Sequence, residues 1–286
     1  MTGFRISACS ANYGHEDLFR VVDRLATHGF HGIEITVMYH IVPSETPLQR
    51  RNEIRRYVSS AGLEISALHF IFPGGMSMAA EDSGERQRVA DHMVAVMELA
   101  SDLHTPMVVI GGGGPRSIPE GMDHAVGLGR VLGVYEDMAR RSEKLGVMAG
   151  FEALNRYETS MGHRLEECIG YVEIIGSSNM KIVGDTFHMN IEEASLPDAI
   201  EKAGSRLAHL HFPDSHRLAP GGGHIDFPPI IDALRRIDYS GYLSFEFFWI
   251  SPRLIYLPTF EACDAEVIKG LNYLRMLAQI VQTLNN

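Results

Sequence analysis

Four ionisable residues in the second half of the chain each end a short apolar run. They are Glu152 in VMAGFEA, Asp185 in MKIVGDT, His211 in LAHLHF and Glu246 in YLSFEF. Three carboxylates gathered in one place would repel one another and stay partly protonated unless a cation lay among them. Together with one imidazole they form an oxygen-rich set that suits Mn²⁺, Mg²⁺ or Co²⁺, whereas zinc is more often held by nitrogen and sulfur. The four residues are therefore candidate metal ligands if the fold brings them together.

The elements that would position these residues alternate along the chain. Short β-like runs are separated by segments in which apolar residues recur three and four positions apart, as amphipathic helices require. The β-like runs lie at 4–9, 32–36, 64–70, 107–111, 147–153, 180–186, 207–212 and 242–247. Eight such units in 286 residues predict an α/β fold, a single-domain (β/α)8 TIM barrel over residues 1–286. A doubly wound open sheet is the alternative, but no GxGxxG follows the first run.

Chemistry in such barrels lies at the carboxyl ends of the strands and in the loops that follow them. The four candidate ligands would then share one rim, and Glu34 and His69 lie near the ends of the second and third runs. Further polar side chains follow the ligands closely. Glu158 comes six residues after the first ligand, His188 three after the second and Arg217 six after the third. As a set, an acid, an imidazole and a guanidinium beside a metal are suited to orienting the hydroxyls of a sugar.

Three segments need separate interpretation. In VGDTFHMNIEE we expect Asp185 at the metal, His188 at the substrate, and 190–193 in a solvated loop. The run GGGGPR at 111–116 is no nucleotide P-loop, and it predicts a loop that needs backbone freedom, with a phosphate or sugar contact by Arg116 as the alternative. The aromatic residues Phe247, Phe248 and Trp249 are expected in the core rather than in a lid.

Composition excludes several classes of function. A formal net charge of -11 would repel a polyanion, so no nucleic acid is expected as a partner. No run of about 18 apolar residues is present, so no membrane partner is expected. The three cysteines, Cys9, Cys168 and Cys263, lie far apart and predict reduced thiols in a cytoplasmic protein. Glycines at 29, 62 and 146 predict helix ends that turn into the next strand.

Several longer segments resemble a known family. Four segments together resemble the xylose-isomerase-like sugar isomerase and epimerase barrels, above all the D-tagatose 3-epimerase and D-psicose 3-epimerase family. These segments are GFEALNRYET, VGDTFHMNIEE, LAHLHFPDSHRLAPGGGHIDF and GYLSFEFF. The likeness is dense from Phe151 to Phe247 and weaker before it. Ala153, Ser160 and Ser215 depart from the family pattern, as do CSANYGHED and TVMYHIVP near the amino terminus. The first three departures remove no proposed ligand, and those near the amino terminus bear on the choice of substrate rather than on the metal chemistry.

The resemblance implies a role for each candidate residue. It implies one divalent metal ion, most often Mn²⁺ or Co²⁺, held by Glu152, Asp185, His211 and Glu246. It implies that Glu152 and Glu246 also move protons. The residues it implies for holding the carbonyl end and the hydroxyls of the substrate are Glu158, His188 and Arg217. A homodimer or homotetramer is the expected assembly, and the segment around 267–284 is either the eighth barrel helix or a subunit contact.

The expected reaction is epimerisation of a ketose or ketose-like substrate, a sugar or a sugar phosphate, through a metal-bound cis-enediolate. One glutamate would remove the proton next to the carbonyl, and the other would return one from the opposite face. Aldose–ketose or hydroxypyruvate-type isomerisation and dehydration on the same scaffold are the alternatives. Two hypotheses come from other classes of protein. One is a non-catalytic barrel that binds metal or sugar, and the other is a nuclease related to this barrel. The carboxylate set and the net charge count against the nucleases.

Overall fold

Eight parallel strands form a closed barrel in which each strand pairs with the next and β8 pairs with β1. The structure, a computed structural model, describes residues 3–247 and 259–284. The strands are β1 Arg5–Cys9, β2 Gly32–Thr36, β3 Glu64–His69, β4 Met107–Ile110, β5 Met148–Glu152, β6 Met180–Asp185, β7 Leu207–His211 and β8 Tyr242–Phe245. The predicted (β/α)8 barrel is thus confirmed, and it excludes the open sheet because the two edges of the sheet are paired.

Helices surround the barrel and cover its outer face. Within the described ranges they are α1 Leu18–His28, α2 Val37–His40, α3 Leu48–Ser60, α4 Ser83–Asp102, α5 Gly113–Arg116, α6 His124–Ser142, α7 Leu165–Ile175, α8 Thr186–Glu192, α9 Leu196–Ala203, α10 Phe227–Arg236 and α11 Phe260–Leu284. None of the helices described is long and apolar enough to cross a membrane. The strands are almost wholly buried because helices cover one face and side chains fill the lumen on the other.

The first helix shows how the sequence sets these bounds. The Asp17 side chain accepts hydrogen bonds from the backbone N–H groups of Phe19 and Arg20, which caps the start of α1. The helix ends at Gly29, whose φ of 79° is the left-handed conformation that glycine adopts without strain. The predicted glycines at 62 and 146 also have positive φ, 80° and 69°. All three predicted helix-to-strand turns are therefore confirmed.

The segment after β6 differs from its prediction. Residues 190–193 were expected in a solvated loop, but α8 continues to Glu192. The Glu192 side chain is 3% exposed and accepts hydrogen bonds from the guanidinium and backbone N–H of Arg156. Glu193 accepts a hydrogen bond from the backbone N–H of Leu165. The solvated-loop prediction is wrong because both carboxylates find partners in the segment that follows β5.

The C-terminal helix packs on the barrel. Helix α11 buries Val267, Leu271 and Leu274, so the eighth barrel helix is the interpretation that its packing supports. Phe247 is buried and stacks on Phe245, with ring centroids 5.4 Å apart, as expected of a core residue. Phe248 and Trp249, which were also expected in the core, lie outside the described residues. The three cysteines are buried and form no disulfide.

Candidate metal centre and active site

The four predicted ligands converge at the carboxyl-terminal mouth of the barrel. Glu152, Asp185 and His211 are the last residues of β5, β6 and β7, and Glu246 follows β8 directly. One ligand atom from each lies within 4.8 Å of the corresponding atoms of the other three. They meet because parallel strands end on the same rim and because residues two apart on a strand share a face. The sequence-predicted cluster is therefore assembled by the fold.

His211 lies at the centre of this cluster. Its Nδ1 atom is 2.8 Å from Glu152 Oε1, 3.2 Å from Glu246 Oε2 and 3.9 Å from Asp185 Oδ2. Each of the four side chains is at most 2% exposed. Ionised groups buried in this way are stable only when they are paired or bind a cation. The three carboxylates of these four residues therefore concentrate negative charge around the imidazole of His211.

One carboxylate oxygen of the cluster has no hydrogen-bond partner among the described residues. Burial opposes ionisation of Glu152, but His211 and His69 together more than offset it and hold the pKa of Glu152 well below its usual range. Burial raises the pKa of Asp185 to about 7, with Arg217 opposing the rise and Glu246 adding to it. Asp185 Oδ2 is buried and makes no hydrogen bond within the described part of the chain. An orphaned acidic oxygen beside two further carboxylates and an imidazole fits a divalent cation.

The predicted substrate residues lie beside the ligands. Arg217 Nη1 is 3.0 Å from His188 Nε2, and Arg217 Nη2 donates to Glu246 Oε2 at 3.4 Å. Asn155 donates to Glu158 Oε1 at 3.2 Å, and its Nδ2 lies 2.7 Å from His188 Nδ1. Burial and the adjacent guanidinium hold the pKa of His188 well below its usual range. The structure thus connects all three predicted substrate residues in one network at the rim.

A cavity of about 590 Å³ opens above this network. Glu152, Glu246 and the three substrate residues form its polar end, and its remaining walls include the apolar side chains of Phe70, Phe72, Met76 and Leu154. Two lining residues, the apolar Phe70 and the charged Arg217, have positive φ angles of 50° and 58°. Such strain in non-glycine residues is typical of functional sites, where the surrounding fold holds the backbone in place.

The loop that carries Arg217 is held by one buried carboxylate. Asp214 accepts hydrogen bonds from the backbone N–H groups of Ser215, Gly221, Gly223 and Ile225. These bonds keep the pKa of Asp214 below its usual range despite burial. The backbone N–H of Arg217 in turn donates to the Asp214 carbonyl at 2.8 Å. Asp214 therefore fixes the turn from which the guanidinium reaches the site.

Two glycines of the run at 111–114 lie where a side chain would collide with neighbouring atoms. A Cβ on Gly111 would lie 2.1 Å from Glu152 Oε2, and one on Gly113 would lie 1.9 Å from the Glu158 carbonyl oxygen. Only Gly112 of the run has positive φ, 83°. Backbone freedom, the predicted reason, thus applies to one glycine, and close approach applies to two. The alternative of a phosphate or sugar contact by Arg116 is wrong, because this side chain is fully buried with its guanidinium 4.7 Å above the Phe151 ring.

Two residues at the site were given no role from the sequence. Glu34 is fully buried and lies 3.1 Å from His211 Nε2, and His69 lies 3.7 Å from both Glu152 and Glu246. Their positions near the ends of the second and third predicted strands were the available indication. The site therefore draws on β2 and β3 as well as on β5 to β8.

Fold and site together define a class: a closed (β/α)8 barrel whose carboxyl-terminal mouth holds an acidic cluster with one imidazole. The model of the xylose isomerase-like TIM barrel family matches residues 22–275. The chain belongs to this family, and the resemblance inferred from its motifs is confirmed.

Individual relatives are sugar epimerases, which are enzymes of the isomerase class. The chain is 34% identical over 232 residues to a D-psicose 3-epimerase of Enterocloster bolteae, covering 79% of this chain and 75% of the relative. It is 28% identical over 243 residues to an L-ribulose 3-epimerase of Mesorhizobium japonicum, covering 84% and 78%. A solved structure of an L-ribulose 3-epimerase superimposes with a TM-score of 0.81 at 25% identity, covering 97% of this chain and 98% of that one.

Proposed function

We propose that the protein is a divalent-metal-dependent epimerase that inverts the carbon next to the carbonyl of an unphosphorylated ketose. The observation that carries the proposal is the pair Glu152 and Glu246. These two buried carboxylates come from β5 and β8, border one cavity, and both contact His211. Inversion needs one group that removes a proton and a second that returns one to the other face of a planar enediolate. A binding protein would need no such pair.

The proton transfers balance between the two glutamates. One carboxylate takes the proton from the carbon next to the carbonyl, and the electron pair left behind moves into the carbonyl oxygen. The other, in its carboxylic acid form, then protonates the same carbon from the other side while the electron pair returns from the oxygen and re-forms the carbonyl, and this glutamate becomes a carboxylate. Before the next turnover the two glutamates return to their starting protonation states by exchange with water, which in D₂O supplies the deuterium that reaches the substrate carbon.

The cation would be held by Glu152, Asp185, His211 and Glu246. When bound, a divalent ion supplies positive charge that stabilises the oxyanion developing on the substrate. Mn²⁺ is the first choice, with Co²⁺ and Mg²⁺ as alternatives, because three of the four proposed ligands offer oxygen. The Asp185 oxygen that has no hydrogen-bond partner among the described residues supports a cation at this position.

The walls of the cavity support a free sugar as the substrate. Glu158, His188 and Arg217 are placed to hold the carbonyl end and its hydroxyls. Among the described residues that line the cavity, Arg217 is the one permanently positive side chain, and it is already paired with Glu246. Among these described residues, a phosphate would therefore face carboxylates and apolar walls with no unpaired basic side chain to neutralise it, which is unfavourable. The apolar wall suits the C–H faces of a sugar.

The test is proton exchange at carbon. The purified protein is incubated in D₂O with D-psicose, D-fructose, D-tagatose or L-ribulose, and separately with ketose phosphates. Each incubation is run with and without Mn²⁺, and NMR follows deuterium incorporation and stereochemistry. We expect metal-dependent deuterium incorporation at C3 with formation of the C3 epimer. Deuterium at C1 with an aldose product would instead indicate isomerisation, and loss of water would indicate a dehydratase. Conversion of ketose phosphates in preference to the free sugars would refute the substrate assignment.

A further inference from the structure

Glu34 is a fully buried carboxylate that the proposed proton transfers do not use. It lies on β2, and β1 and β8 separate this strand from β7 in the order of the barrel. Its side chain nevertheless reaches residues of β7 and β8 through the lumen. Oε2 accepts a hydrogen bond from Ser244 Oγ at 2.7 Å and lies 2.9 Å from His209 Nε2. Ser244 and His209, which hold Glu34, each lie two residues before a proposed metal ligand and therefore deeper in the barrel.

The other oxygen of Glu34 faces the cluster itself. Oε1 lies 3.1 Å from His211 Nε2 and 3.0 Å from His69 Nδ1. Three imidazoles and one hydroxyl thus surround a single carboxylate that is shielded from water. An anion in the core of a barrel is strongly unfavourable unless such partners compensate it. A side chain needed only to fill the lumen could be apolar, so the charge calls for another explanation.

The two ring nitrogens of His211 have different partners. Nε2 faces Glu34, while Nδ1 faces Glu152 and Glu246. A neutral imidazole carries one proton, and a carboxylate can only accept one in a hydrogen bond. A cation among the four proposed ligands would need the lone pair of Nδ1, and the single proton would then lie on Nε2, where Glu34 accepts it in a hydrogen bond. Carboxylates behind ligating histidines act in this way in metal sites generally.

We propose that Glu34 is a positioning residue that fixes the ring and tautomer of His211 and so raises the affinity of the site for a divalent cation. His209 and Ser244 hold the carboxylate in place from the far side. The inference rests on the cation site of the proposed function, and it adds a residue outside the four proposed ligands. Its direct consequence concerns metal affinity, which can be measured without turnover.

The main test compares Glu34→Gln with wild type by calorimetric titration of Mn²⁺ into the metal-free protein. Glutamine keeps the size of the side chain and removes the charge, and we expect the dissociation constant to rise about 10- to 100-fold. Glu64→Gln is the matched control. Glu64 is the first residue of β3, at the end of the barrel away from the proposed metal site, and its side chain is 69% exposed. Its Mn²⁺ affinity should equal that of wild type. A Glu34→Gln protein that binds Mn²⁺ within threefold of wild type would overturn the proposal.

A measurement on the wild-type protein covers the case in which Glu34→Gln does not fold. In protein with ¹⁵N-labelled histidine, loaded with diamagnetic Mg²⁺, we expect the His211 ring to carry its proton on Nε2 and none on Nδ1. His211→Gln assigns the signals. The opposite tautomer, with Nδ1 protonated, would contradict the role of Glu34.

The outcomes separate this inference from the proposed function. Deuterium exchange by wild type, together with unchanged Mn²⁺ affinity in Glu34→Gln, would refute the role of Glu34 and leave the epimerase proposal standing. Weakened Mn²⁺ binding in Glu34→Gln, in a wild-type protein that exchanges no deuterium with any sugar, would support the role of Glu34 and refute the epimerase. A wild-type protein that binds neither Mn²⁺ nor Mg²⁺ would overturn both.

Discussion

Replacing Gly111 with alanine should damage catalysis without damaging the fold. The new methyl carbon would lie 2.1 Å from Glu152 Oε2 and 3.2 Å from His69 Nε2, whereas ordinary contact begins near 3.4 Å. The backbone itself tolerates alanine, because Gly111 does not have positive φ. The clash is with the end of a flexible side chain, so Glu152 should rotate away while the barrel stays intact.

The expected magnitude follows from the displacement that the contact requires. Glu152 must move by more than about 1 Å, and a misplacement of about 1 Å in a catalytic group can cost about 100-fold in rate. That factor corresponds to about 2.7 kcal/mol of transition-state stabilisation. The Mn²⁺ affinity should fall as well, because the same carboxylate is a proposed ligand. The melting temperature should change little, since alanine also restricts the unfolded chain.

The assay is the rate of C3 epimerisation at saturating Mn²⁺, with melting temperature and Mn²⁺ affinity measured on the same samples. Gly114→Ala is the matched control, because a Cβ there meets nothing within 4 Å. We expect this control to retain activity within about threefold of wild type. If Gly111→Ala also retains kcat/KM within threefold, the position of Glu152 does not limit the reaction and the reasoning is wrong.

Three further predictions concern other parts of the molecule. Glu246→Gln should lower kcat by about 100- to 10,000-fold, as loss of an acid–base group does, and full activity in a folded variant would contradict the proposed role. Asp214→Asn should lower the free energy of unfolding, measured in urea, by about 1–3 kcal/mol and should also lower kcat/KM. The reason is that an amide cannot accept all four of the backbone N–H hydrogen bonds that hold the turn carrying Arg217. An unchanged urea midpoint would argue against this. Burial lowers the pKa of His40 from 6.5 to about 4, and His15 adds to the shift. Between these two pH values the unfolded chain binds a proton at His40 that the folded chain does not, so stability falls as the pH drops from 6.5 towards 4. The loss is about 3 kcal/mol, and His40→Asn should remove most of it in denaturant titrations at pH 4.5 and 7.

The sequence by itself determined the architecture and the principal cluster. Strand and helix periods, with glycines at the helix ends, identified eight βα units. Closure of eight parallel strands then places Glu152, Asp185, His211 and Glu246 on one rim, whatever the details of packing. These residues could be found because each lies at the end of a strand or directly after it, so local pattern and barrel geometry were sufficient.

Tertiary structure alone decided which other side chains reach the cluster. Glu34 contacts His211 only because β2 and β7 face a common lumen, and the stagger of the strands sets the height at which the side chain crosses it. Gly111 is small because Glu152 passes over it, a contact between β4 and β5 that no local pattern encodes. Glu192 is buried because Arg156 reaches it from another loop. In each case the deciding partner is distant in sequence, and only the folded chain brings it within hydrogen-bond or van der Waals range.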